Sequence, residues 1–179
     1  MSPVNALFAP RAAQHATIWA ALSAISDPEI PVISLAELGI LRDIQVADDG
    51  VTEVVITPTY SGCPAMGQIE DDVRSKLQEL GIHARVVTRL APAWTTDWMT
   101  PQAKEKLRAY GIAPPARQSC ASAAHTLKFS RRARVVDTVA CPRCASTNTT
   151  EITAFGSTAC KAQYRCLSCM EPFDYFKPY

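Results

Sequence analysis

Met66, Ile69, Val73, Leu77 and Leu80 recur at steps of three, four, four and three. That spacing gathers them on one side of an α-helix and leaves the charged residues on the other. Pro64 suits the first position of this helix, where its missing N–H is no loss, and Gly81 suits a left-handed stop. A second stripe, His15, Ile18, Leu22 and Ile25, predicts a helix over residues 10–26. It should stop at Asp27-Pro28, because a residue before proline avoids the α region. DPEIPVIS is then a loop.

Ile40, Ile44 and Val46 fall on one side of a period-two pattern, and Asp48-Asp49-Gly50 supplies a turn. Val51, Val55 and Thr57 then alternate against Val54 and Ile56, which completes a hairpin. The return strand is apolar on both faces, so it belongs inside a sheet. Residues 82–89 read as a third strand, and Thr100-Pro101 opens a short helix that Gly111 closes. Residues 112–132 lack a clean period and read as a linker. The expected fold class is α+β. A small α/β domain over residues 10–111, a three-stranded sheet packed with helices, precedes a β module over residues 133–179. The module should end in a strand carrying Phe173, Tyr175 and Phe176.

The 179 residues are 47% hydrophobic and 20% charged, with a net charge of +1. This is globular composition, with no pull toward nucleic acid or an anionic membrane. No basic, apolar leader opens the sequence and no run of about 18 apolar residues interrupts it. The expected compartment is the cytoplasm. The seven cysteines therefore read as metal ligands before disulfides.

Four of them stand as Cys141-Pro-Arg-Cys144 and Cys166-Leu-Ser-Cys169, with 21 residues between the pairs. Each pair can form a knuckle whose two sulfurs converge on one ion, and two knuckles make a tetrahedral site of zinc-ribbon or rubredoxin type. So small a module needs the ion for stability. Cys160 complicates this, since C-x5-C-x2-C approaches the plant-type ferredoxin spacing C-x4-C-x2-C. Zinc is the expected ion, because paired knuckles need no fifth thiol; an iron–sulfur cluster using Cys160 is the alternative. Cys120 has no partner pattern.

Cys63 raises a different question. With Pro64 as the first helical residue, Cys63 would be the N-cap, facing open N–H groups and the positive helix end. Both favour thiolate, the form that binds metal or attacks. A buried, inert cysteine is the other reading. Asp27 and Glu29, in a proline-fixed loop, read alone as a solvated turn.

DPEIPVIS, TPTYSGCPAM opening a helix, and APAWTTDWMT together resemble the MIP18 family, whose members act in iron–sulfur protein maturation. The likeness covers residues 10–111. It implies a compact domain whose Cys63 handles iron or a cluster, with Asp27 and Glu29 beside it. Thr57 and Thr59 would orient the loop or merely fill strand positions. One thiol and two carboxylates do not close a cluster site, which usually takes four ligands; a second copy of the chain or a client would supply the rest. FGSTACKA, YRC and EPFDYFK resemble the D-subunit family encoded with the bacterial phenylacetyl-CoA epoxidase.

This likeness implies an accessory protein rather than an enzyme. Its partners would be the epoxidase subunits, above all the iron–sulfur reductase, into which it would insert a cluster. Two rivals stand beside this reading: a structural subunit of the oxygenase complex, and a thioester hydrolase using Cys63 and His83. Trp94, Trp98 and Met99 mark either a docking surface or core packing. The run Lys128, Arg131, Arg132 and Arg134 reads as a solvated linker face.

Overall fold

The structure, a computed structural model, describes residues 11–115 and 138–179, and the backbone alone at residues 11–13. It comprises two compact units, one of residues up to Tyr110 together with Tyr179, the other Gly111–Pro178.

The first unit contains α1 (Arg11–Leu22), α2 (Leu35–Leu38), β1 (Leu41–Val46), β2 (Thr52–Ile56), α3 (Met66–Glu79), β3 (Ala84–Thr88) and α4 (Pro101–Tyr110). The sheet order is β1-β2-β3. β1 runs antiparallel and β3 parallel to β2. A parallel neighbour needs a crossover, and α3 supplies it. β2 is central, as its apolar faces require: Val54, Val55 and Ile56 are all buried. Ile69, Val73 and Leu77 of α3 join Ile18 and Leu22 of α1 in the core. Gly81, at φ 66°, takes the left-handed conformation that ends α3.

Two local expectations change, and one open alternative is decided. α1 ends at Leu22 rather than near residue 26. Its last turn tightens through Ala24 N–H to Ala21 O and Ile25 N–H to Leu22 O, which frees the chain to pair Ser26 with Ser34. Val46, next to the exposed turn, is itself exposed. Trp94 and Met99 are core residues, not a docking surface. The Trp94 indole N–H donates to the Leu38 carbonyl at 3.1 Å, which lets this polar ring be buried.

The second unit is a sheet of β4 (Ile112–Ala113), β5 (Thr149–Thr153), β6 (Lys161–Cys166) and β7 (Pro172–Phe176), in the order β4-β7-β6-β5. Ile112 and Ala113, expected in a linker, instead pair with Asp174 and Tyr175. Both are apolar and buried, so they cover the edge of β7. The remainder of the expected linker over 116–132, with Cys120, His125, Lys128, Arg131 and Arg132, lies outside the described residues, as does Arg134. The core is thin: Tyr164 packs on Phe173 and Tyr175, ring centroids 5.9 and 5.4 Å apart. No described helix is long and apolar enough to cross a membrane.

Candidate metal centre and cluster-handling loop

Each cysteine pair of the second unit sits on a tight turn. Ala145 N–H closes the first turn onto Cys141 O at 2.9 Å. Cys141 and Cys166 are buried, whereas Cys144 and Cys169 reach the surface. The four sulfurs lie within 4.8 Å of one another, with Cys141–Cys169 at 3.8 Å and Cys144–Cys166 at 3.5 Å. A tetrahedron with metal–sulfur bonds of about 2.3 Å has edges of about 3.8 Å. The spacing therefore suits one four-coordinate ion. A two-iron cluster would hold the thiolate pairs further apart. Cys160 stands outside this group: its sulfur meets Thr158 Oγ1 at 2.9 Å in a buried position. Among the described residues, the four paired cysteines come together and Cys160 does not join them.

Backbone amides aim at the sulfurs. Cys166 Sγ accepts from Ser168 N–H at 3.4 Å and from Cys169 N–H at 3.5 Å. Those amides, Cys169 first, draw the Cys166 thiol down to about 6, against the opposing effect of burial. Cys144 has the Ser146 amide working to lower it, yet the neighbouring Cys166 sulfur, burial, and Cys169 and Cys141 push it up to about 12. Cys169 is likewise raised, the Glu171 amide and the Cys144 sulfur being outweighed by burial and the Cys166 and Cys141 sulfurs. Packed thiols resist ionising together. A divalent cation at their centre reverses that resistance, because a coordinating thiol is deprotonated outright.

Sequence reasoning singled out the four cysteines that meet but missed Ser146, Ser168 and Glu171, whose amides serve the sulfurs. The signal was available: Ser146 and Glu171 each stand two residues after the second cysteine of a pair. It also missed that Ala145 and Met170, directly after those cysteines, hold left-handed φ values of 59° and 64°.

Cys63 lies in the connection leaving the carboxyl end of β2. Its N–H donates to Tyr60 O at 3.2 Å, and its own carbonyl accepts from Met66 N–H at 3.3 Å. Two successive tight turns thus precede α3, which begins at Met66 with Ala65 as the N-cap and no side-chain capping bond. The expectation that Cys63 caps the helix, with Pro64 its first residue, is not met. The carbonyl of Cys63 serves the Met66 amide. The residue is half-buried.

Thr57 and Thr59 are buried. With Tyr60, Ser61 and Trp94 they line a cavity of about 240 Å³ where the Cys63 connection leaves the sheet. Asp27 and Glu29 belong to another loop, between α1 and α2, and neither they nor Cys63 line this cavity. Asp27 is buried. Its Oδ1 accepts the N–H groups of Glu29 at 2.9 Å and Ile30 at 2.8 Å, and its own N–H donates to Ile33 O at 2.8 Å. It thus builds the loop that presents the half-buried Glu29.

His83 follows α3, and Cys63 precedes it. The 14 residues of α3 set the two ends of the helix about 20 Å apart. A Cys63–His83 dyad is not formed.

Comparison with known proteins places these features. Residues 15–87 match the family model described as iron-sulfur cluster assembly protein, and residues 127–177 match the PaaD zinc beta ribbon domain. A Fe-S protein maturation auxiliary factor of Porphyromonas gingivalis (strain ATCC BAA-308 / W83) is 34% identical over 48% of this chain and 83% of its own length. The auxiliary factor YitW of Bacillus subtilis (strain 168) is 34% identical over 49% of the chain and 86% of its own length. Both matches span about half of this chain. An Escherichia coli (strain K12) protein described as the D subunit of a 1,2-phenylacetyl-CoA epoxidase matches far more of it, at 52% identity over 89% of the chain. That match also takes in 90% of the relative, and the chain belongs to the D-subunit family of phenylacetyl-CoA epoxidases.

Proposed function

We propose that this protein is an accessory factor of the phenylacetyl-CoA epoxidase system, acting in the cytoplasm to assemble or insert an iron–sulfur cluster into the reductase subunit. The observation that carries this reading is Cys63. It is half-buried in a turn at the carboxyl end of β2, within a domain that matches iron–sulfur assembly proteins. A cysteine there offers a single thiolate to the cargo. Clusters usually take four ligands, so one thiolate holds the cargo loosely and the client, or Cys63 of a second copy, completes the set. Loose holding is what delivery requires. Glu29, fixed by the Asp27 loop, is the carboxylate of the reading, and Thr57 and Thr59 shape the strand end from which the Cys63 turn departs. The ribbon's four thiolates hold zinc as a resident, structural ion.

The experiment is Cys63→Ala in a host that depends on the epoxidase. The expected result is a reductase purified without its iron and without visible-range cluster absorbance, while the variant keeps the wild-type melting temperature. A reductase with full iron content in that host overturns the reading. The Escherichia coli relative is named as a subunit, which favours a second reading in which the chain is a structural component of the oxygenase complex. Co-purification with the catalytic subunits at fixed stoichiometry, insensitive to Cys63→Ala, separates the two. Elemental analysis of protein purified without oxygen identifies the ribbon's ion.

A further inference from the structure

At its start β1 carries one residue more than β2. Leu41 pairs with Ile56 and Asp43 with Val55, which leaves Arg42 as the extra residue of a bulge. Bulges re-aim side chains. Here the guanidinium of Arg42 lies over the Trp98 ring, 3.4 Å from its centroid. Stacking fixes the plane of the fork and leaves its N–H edge for a second partner. Arg42 has no ion pair among the described residues.

A cleft of about 230 Å³ opens beside it, with Arg89 and Thr57 on its walls and Val55 and Pro92 supplying apolar surface. Arg89 stands 3.9 Å from Glu53, a carboxylate already engaged by Arg85 at 3.0 Å and by the Gln45 amide at 2.8 Å. Asp43 also lines the cleft, and its Oδ1 accepts the Ile44 N–H at 2.8 Å. Among the side chains that line the cleft, two guanidinium groups face one aspartate, an excess of a single positive charge, with Glu53 behind Arg89 and shared with Arg85, which Asp49 also engages at 3.1 Å. The cleft lies at the carboxyl ends of β2 and β3, the place where open α/β sheets bind ligands. Thr57 borders both this cleft and the cavity at the Cys63 connection.

We infer that this cleft binds a carboxylate group, held by the Arg42 fork and by Arg89, with its hydrocarbon stem against Val55 and Pro92. The excess charge matches a monoanion and falls short of a phosphate dianion. The small volume admits one acidic side chain or short acid, not a nucleotide. Two sources carry this chemistry: an aspartate or glutamate of a partner protein, and a free small carboxylic acid. The inference does not rest on the proposed maturation role, since it needs neither Cys63 nor iron.

The test is a ¹H–¹⁵N NMR titration of the full chain with propionate, with inorganic phosphate, and with the blocked peptide acetyl-Gly-Glu-Gly-amide. The expected result is saturable shifts of the Arg42 and Arg89 Nε–Hε signals and of the Thr57 amide with propionate, and weaker ones with phosphate. Tighter binding of the peptide than of propionate assigns a protein side chain as the source; weaker binding assigns the free acid. Arg42→Gln should weaken propionate at least tenfold, the worth of a hydrogen bond to a charged group. Arg42→Lys, which keeps the charge without the fork, should also weaken it and covers the case in which the glutamine variant unfolds. Absence of saturable shifts, a preference for phosphate, or undiminished binding in folded Arg42 variants each overturns the inference.

Discussion

A methyl group added to Gly39 would come within 2.8 Å of both Cβ and the carbonyl oxygen of Trp98. The segment around Trp94 and Trp98 lies hard against the end of α2, fastened by the Trp94–Leu38 bond and by Thr100 N–H to Glu37 O at 3.0 Å. Gly39 meets two demands at once, because it also holds φ at 77°. Gly39→Ala should cost the left-handed strain, about 1–2 kcal/mol, plus the displacement of backbone. Gly50 is the control: its φ is 80° but nothing lies within 4 Å, so Gly50→Ala should cost the strain alone. Thermal melts of the two variants give the comparison. Equal losses would remove the close-approach explanation.

Glu37 ties α2 to α4. Its Oε2 accepts the Ser34 N–H at 3.0 Å, the Ser34 hydroxyl accepts the Glu37 N–H at 3.2 Å, and Lys106 reaches its Oε1 at 2.7 Å. Burial works to raise the carboxyl, but the Lys106 hydrogen bond, the Ser34 amide and the Lys106 charge hold it below its ordinary value of 4.5. A depressed folded pKa gives stability that is fully present above the unfolded value and disappears as pH falls through the folded one. Glu37→Gln should therefore lower stability by about 1 kcal/mol at pH 7. The gap from wild type should narrow as pH drops below about 4.5. A gap that stays constant from pH 7 to pH 3 would falsify this assignment.

Periodicity and punctuation carried most of the architecture into view. The stripe from Met66 to Leu80 and the doubly apolar β2 announced a helix crossing over a sheet, because burial imposes those periods directly. Paired spacing announced which four sulfurs meet, because two sulfurs on one knuckle must be close in sequence. The start of α3 was misplaced: proline suits the first helical turn and the turn preceding it, and the sequence does not distinguish them. β4 was unreadable, since two residues carry no period. The Arg42 bulge was hidden for the same reason, as one extra residue leaves the apolar pattern of Ile40 and Ile44 intact. Asp27 was legible as a turn former, and its bonds to Glu29 and Ile30 are that local chemistry.

Ala145 and Met170 occupy the left-handed region at equivalent places in the two knuckles. A side chain there is strained by about 1–2 kcal/mol. Glycine relieves the strain but enlarges the entropy of the unfolded chain, which returns about 0.4–1 kcal/mol. Met170 is 62% exposed, so its removal sacrifices little packing. Met170→Gly combined with Ala145→Gly should stabilise the metal-bound ribbon by about 1 kcal/mol and slow transfer of its ion to a chelator. Release rates followed with a chromogenic chelator check this. Faster release from the glycine variant would mean that the side chains hold the knuckles rather than strain them.

Removing the ion should unfold one unit and spare the other. Gly111–Pro178 is small, and Cys141 and Cys166 belong to the same buried cluster as Tyr164, Phe173 and Tyr175. A structural zinc site contributes about 10–16 kcal/mol of apparent binding free energy, more than so small a core supplies unaided. Without the ion, the buried thiols lose the charge that ionises them together, and the rings lose the closure that stacks them. The first unit has its own core on α1, α3 and β2, independent of any sulfur ligand. Under a strong chelator, or in Cys141→Ser, amide hydrogen exchange should become fast throughout β6 and β7 and stay slow in β2 and α3. Fast exchange in both units at the same chelator concentration would show that they fold as one body, and that the ion stabilises more than the sheet that carries it.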